Sequence, residues 1–172
     1  MLKSRTLWAL VLLACIFYAC KNDPPFDKAT QAKIDDDLIV KFLDSSNLVM
    51  TRTGDGLYYK IISEPDTGKK INNETDTVSV YYVGRYLDGT LYDSTSTRID
   101  SLATKFVFRS AMEGWRKGIP LIKTGGQIRL IVPSGMAYQN RIIPRPGLDT
   151  LGPNKIFDFD IRLIRVAEKK DK

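Results

Sequence analysis

Residues 156–166, IFDFDIRLIRV, alternate apolar and polar side chains along nearly their whole length. Successive side chains on a strand point to opposite sides, so this pattern fits a strand buried on one face only. On a helix the same residues would scatter their apolar groups around the circumference. The stretch commits the chain to a sheet with Phe157, Phe159, Ile161 and Leu163 toward a core and Asp158 and Asp160 on a solvent face.

Further runs of the same period lie upstream: GLYYKIIS (56–63), TVSVYYVGRYL (77–87), TLYDS (90–94), KFVFRS (105–110) and QIRLIVP (127–133). Asp88-Gly89 reads as a two-residue hairpin turn with positive φ at both positions. Gly125-Gly126 is a turn into the next strand; no Lys-Ser/Thr follows to make a phosphate loop. One short helix, SAMEGWRKGI, interrupts the strands. Ser110 is its expected N-cap, and Ala111, Met112, Trp115, Gly118 and Ile119 share a face. The class is α+β: a curled antiparallel sheet wrapped over one short helix, with an apolar hollow at one end.

The N-terminal third reads differently. Lys3 and Arg5 precede an apolar run from Leu7 to Ala19, shorter than the roughly 20 residues a bilayer span needs. This is the pattern of a secretory signal over residues 1–19. Cys20 follows Ala19, as in the lipobox of bacterial lipoproteins. LLAC, ending at Cys15, is closer to the usual wording, but cleavage there would leave the apolar IFYA at the new N-terminus. Cleavage at Cys20 leaves the polar KNDPPFDK, so Cys20 is the expected lipidation site. An uncleaved anchor and an ordinary secretory signal are the other readings. Residues 20–55 form a tether with a short helical segment, Ala29 to Leu43, whose Asp35, Asp36 and Asp37 read as a solvated face. Residues 56–167 form the main domain and 168–172 a charged tail.

Composition narrows the chemistry. The chain of 172 residues has no histidine, and its two cysteines, Cys15 and Cys20, lie in the leader and at its boundary. Ser-His and Cys-His couples are excluded, no metal site is expected, and no cofactor is implied. The net charge of +6 comes from Lys and Arg interleaved with acids, which argues for a solvated surface and against nucleic acid.

Three blocks, VYYVGRYLDGTLYDS, FVFRSAMEGWRKGIPLIKTGGQIRLIVPSGMAY and LGPNKIFDFDIRLI, together resemble the FKBP-type peptidyl-prolyl cis-trans isomerases. They cover about residues 76 to 166 in the family's order. The N-terminal features resemble its cell-envelope subgroup, which includes lipoproteins associated with gliding motility. The resemblance implies a proline pocket with Trp115 as floor and Tyr82, Tyr92, Phe106 and Phe159 as walls. It implies that the Met112 N–H and the Tyr138 hydroxyl meet the substrate carbonyl side, that Asp93 lines that side, and that Ala111 and Leu151 complete the pocket. The chain departs from the family at Ala111, usually a larger aliphatic residue, and at Gln139, where glycine is expected. It also departs in a longer loop from Tyr138 to Leu151, and in Leu151-Gly152-Pro153 for Ile-Pro-Pro.

The residue chemistry agrees with this implication. Twisting an amide breaks its C–N resonance and costs about 18–20 kcal/mol. The twisted amide is less dipolar and leans less on water, so a dry aromatic cup disfavours the planar form relative to it. Such a reaction needs aromatics and shape, without a nucleophile. The expected partners are proline-containing polypeptides, a membrane through the lipid anchor, and an envelope protein complex. The expected location is the cell envelope, facing periplasm or exterior. A binding or scaffolding lipoprotein with little catalysis is the alternative.

Overall fold

The computed structural model describes residues 27–95, 103–147 and 149–168. Cys15, Cys20 and the apolar leader lie outside the described residues. Within them, helix α1 (Lys28–Ser45) precedes strands β1 (Thr51–Arg52), β2 (Tyr58–Ser63), β3 (Thr77–Tyr86), β4 (Leu91–Ser94) and β5 (Thr104–Val107). Helix α2 (Glu113–Gly118), β6 (Gln127–Val132) and β7 (Phe157–Ala167) follow.

The strands form one antiparallel seven-stranded sheet, ordered β1-β2-β6-β7-β3-β4, with β5 also on β3. The two longest strands pair along their length, from Thr77 opposite Ala167 to Tyr86 opposite Phe157. The outer edge of β3 is divided: Thr77 to Val80 takes β5, and Val83 to Arg85 takes β4. This places β4 and β5 as two lips at one end of the sheet. Phe157, Phe159, Ile161 and Leu163 are all buried, as the alternation in β7 requires.

Two glycines set the distance between α2 and the sheet. A Cβ on Gly114 would lie 2.4 Å from Val132 Cγ1, and one on Gly118 2.5 Å from Leu130 Cδ1. With hydrogen at both positions the short helix sinks onto the concave face, and Trp115 joins the core between them. Ser110 does not cap this helix. Its hydroxyl donates to the Val107 carbonyl at 2.7 Å, inside a 3-10 turn at Phe108–Ser110. Ala111 and Met112 are extended, with ψ of 155° and 154°, and Met112 takes the cap position without a side-chain bond.

The β3–β4 hairpin also departs from expectation. Asp88 is not among the residues of positive φ; Gly89 is, at 86°. Gly89 N–H donates to the Tyr86 carbonyl at 3.0 Å, and Tyr86 N–H to Thr90 at 2.9 Å. The connection is a three-residue loop closed by one left-handed glycine. Asp88 acts through its side chain, which accepts from Thr90 N–H at 2.8 Å.

The convex face is less solvated than the sequence suggests. Helix α1 packs there through Ile39, against Tyr58, Ile131 and Ile156. The three aspartates part company because consecutive helical side chains diverge. Asp35 is buried, Asp36 bonds the Arg52 guanidinium and the Tyr58 hydroxyl at 2.8 Å each, and Asp37 alone is exposed. Asp158 is likewise not simply solvated: Arg129 grips both its oxygens, at 2.9 and 2.6 Å. Asp160 accepts from Gln127 at 2.7 Å.

Candidate active site

At the end where β4 and β5 diverge, the concave face opens into a hollow of about 190 Å³. Trp115 forms its floor and is only 7% exposed. Tyr82 and Phe159 stand edge-on to the indole, with centroids at 5.0 and 5.2 Å and planes at 74° and 84°. Phe106 leans on it from β5 at 5.7 Å. Edge-to-face packing of this kind fixes ring orientation beyond what burial alone provides.

Local backbone irregularities bring these rings together. Gly84 faces Phe159 across the β3–β7 pair, and a Cβ there would lie 2.5 Å from Phe159 Cε1. The glycine gives the ring its place against β3. On β4 a bulge does the positioning: Gly84 pairs with Asp93 and Arg85 with Leu91, so Tyr92 is the extra residue. Plain alternation would send Tyr92 and Asp93 to opposite faces. Both line the hollow.

The polar groups form two short chains. The Tyr82 hydroxyl donates to Asp93 Oδ2 at 2.6 Å, and Ser94 N–H donates to Oδ1 at 2.8 Å. The Tyr92 hydroxyl donates to that of Tyr138 at 3.2 Å. Tyr138 thus keeps its own proton, with no acceptor among the described residues. Burial, and then the hydrogen bond to Asp93, push the Tyr82 phenol well above its ordinary value. Burial, and then the bond to Tyr138, do the same for Tyr92. The Met112 N–H meets no acceptor among the described residues, because the extended Ala111–Met112 segment precedes the helix. The buried indole N–H of Trp115 also meets no acceptor among the described residues.

All the pocket residues anticipated from the sequence line this hollow except one. Leu151 is 1% exposed and packs in the core beneath the loop, where it bridges to Ile143. Ser110, read in the sequence as a cap, is instead part of the lining.

No motif in the sequence marks Arg145. Its guanidinium lies 4.4 Å from the centre of the Tyr92 ring and donates to the Tyr92 carbonyl at 2.6 Å. A planar cation suits such stacking. The contact fastens the long 138–151 loop to β4.

Gln139 shows why glycine is the family's residue after the tyrosine: its φ is 58°. The left-handed region costs a non-glycine residue roughly 1–2 kcal/mol, and glycine gives back about 0.5–1 through unfolded-state entropy. Gln139→Gly should therefore raise stability by about 0.5–1 kcal/mol, read from the denaturation midpoint in urea. A loss of stability would mean that the Gln139 side chain holds the loop.

Comparison with known proteins matches residues 68–164 to the FKBP-type peptidyl-prolyl cis-trans isomerase family. A probable isomerase FkpA from Neisseria meningitidis is 33% identical over 115 residues, covering 67% of this chain and 39% of its own. FkpA of Escherichia coli K12 is 34% identical over 119 residues, covering 67% and 40%. The outer membrane protein MIP of Legionella longbeachae is 38% identical over 113 residues, covering 66% and 45%. The chain thus spans well under half the length of these relatives. The crystal structure of Escherichia coli FkpA superposes with a TM-score of 0.63 at 27% identity, covering 95% of this chain and 71% of that one.

Proposed function

The chain belongs to the FKBP-type peptidyl-prolyl cis-trans isomerase family, and from that premise we propose that it speeds cis–trans exchange at Xaa-Pro bonds of exported polypeptides. One observation carries this reading. An aromatic hollow of about 190 Å³ has two donors on one rim, the Met112 N–H and the Tyr138 hydroxyl, that no described residue occupies.

The pyrrolidine ring enters over Trp115, between Tyr82, Phe106 and Phe159. The cup strips water from the amide, which raises the planar form relative to the less dipolar twisted one. The two donors orient the carbonyl as the C–N bond turns. Asp93 lines the carbonyl side with them, and its bond from Tyr82 fixes that wall. A ten-thousandfold acceleration requires about 5.5 kcal/mol at 1.36 per decade. Ring burial and preorganised donors are of that order. Ala111 leaves one side of the cup open to a bulkier residue before proline. The test is a protease-coupled isomerisation assay on an Ala-Leu-Pro-Phe peptide. Catalysed exchange supports the proposal; peptide binding without acceleration would assign the cup to a binding module of an envelope complex.

The proposed location is the cell envelope, with the chain held to a membrane by lipid on Cys20. The basic, apolar, Ala-Cys order of the leader supports this, as does the likeness to the outer membrane protein MIP of Legionella longbeachae. Among the described residues no helix is long and apolar enough to cross a membrane. Cys20→Ser should abolish palmitate labelling and move the protein out of the membrane fraction. Label kept in that variant but lost in Cys15→Ser would reassign the site.

A further inference from the structure

We infer that Asp35, on the helix packed against the convex face, is a positioning residue for Tyr138, an inference that rests on Tyr138 being a donor in the proline cup. Asp35 is 1% exposed and Ser134 is fully buried. Asp35 Oδ2 accepts from both the backbone N–H and the hydroxyl of Ser134, each at 2.7 Å. Its Oδ1 accepts from Gln31 Nε2 at 2.7 Å. A carboxylate acceptor makes these bonds shorter and stronger than neutral ones. Nothing in the isomerisation chemistry calls for a buried acid here, since no α1 residue lines the cup.

Ser134 opens the turn that carries Tyr138. Its carbonyl accepts from Ala137 N–H at 3.1 Å and from Gln139 N–H at 2.9 Å. The residues on both sides of Tyr138 therefore hang from Ser134, and Ser134 hangs from Asp35. The far side is tied by Asn154, whose N–H donates to the Gln139 carbonyl at 2.8 Å. The product of this chain of bonds is the placement of the Tyr138 hydroxyl, 3.2 Å from that of Tyr92. Helix α1, which the sequence marks as part of a tether, sets the height of the flap over the cup.

The test uses the full chain carrying Asp35→Asn, Asp35→Ala or Ser134→Ala, each with and without Tyr138→Phe. It reads kcat/KM and the hydrogen exchange of the Gln139 amide. Asp35→Asn should keep most of the activity, because its amide oxygen still accepts from Ser134 and Gln31 can turn its own oxygen inward. Asp35→Ala should lower kcat/KM by about tenfold to a hundredfold, the scale of a 1 Å misplacement, and speed Gln139 exchange. With Tyr138→Phe present, the same change should alter kcat/KM by less than about twofold, since the group being positioned is gone. Ile39→Ala, which removes an apolar contact of α1 and leaves the Asp35–Ser134 bonds in place, should cost stability and leave kcat/KM at the parental value. Parental kcat/KM and exchange in Asp35→Ala, or equal losses with and without Tyr138→Phe, would overturn the inference. Should Asp35→Ala fail to fold, Ser134→Ala carries the same comparison with a smaller loss, and parental values there would overturn it too. A parent protein inactive on every peptide would sink the proposed function instead, while Gln139 exchange would still report on the clamp.

Discussion

Phe159→Ala should destabilise the protein by about 3–5 kcal/mol, at the upper end of that range, and remove most isomerase activity. Phe159 is 1% exposed and touches Trp115, Tyr82 and Phe157, the last stacked at 5.6 Å. The cost of a core truncation depends on how well the neighbours collapse into the space. Here they collapse poorly. Gly84, directly across the β3–β7 pair, has no side chain to move in, and the indole is already fixed edge-on. The cavity should therefore persist beside the proposed proline position and admit water to the cup. Urea unfolding reads the first effect. The coupled assay, run well below the melting temperature, reads the second. A domain of ordinary stability has only about 5–15 kcal/mol in hand, so the variant should be handled cold.

Gly84→Ala probes the same contact from the opposite side. The added Cβ would sit 2.5 Å from Phe159 Cε1 and 2.8 Å from Cδ1, so the ring must swing away. Overpacking of this kind costs about 1–3 kcal/mol. The displaced ring can move only toward the hollow, because Phe157 and Trp115 close its other sides. Gly84→Ala should thus raise KM for proline peptides as well as lower stability. Pairing it with Phe159→Leu should restore part of the loss, and the double variant should be more stable than the sum of the singles. Strict additivity would mean that the two residues do not press on each other as described.

Much of the sheet was legible because period two is enforced by burial. In β7 each inward residue from Phe157 to Leu163 is set by one rule, and no competing tertiary contact changes it. The site was legible mainly through the joint order of its motifs, since no single aromatic distinguishes a cup wall from a core residue. What escaped the sequence were features set by partners distant along the chain. Tyr92 and Asp93 share a face only because β4 bulges against β3. Ser110 fails as a cap because the chain must run extended through Met112 before it turns. The three aspartates of α1 look alike in sequence, yet Ser134, 99 residues away, makes one of them a buried acceptor. Local propensity carries no signal for such a bond.

The cup, as proposed, works by desolvation and fixed donors, without a proton-transfer step. The cup holds no histidine and no thiol, the side chains that titrate nearest neutrality. Burial first, and hydrogen bonding second, raise Tyr82 and Tyr92 above their ordinary value of 10.0. A phenol with a raised value stays protonated to higher pH, so both hydroxyls are neutral throughout the range from 6 to 8. The decisive measurement is kcat/KM for a Leu-Pro peptide across that range, on the parent and on Asp93→Asn. The desolvation account predicts a nearly flat profile for both, with a good part of the activity kept when the charge of Asp93 is removed. A bell-shaped profile in the parent, or total loss in a folded Asp93→Asn variant, would contradict it.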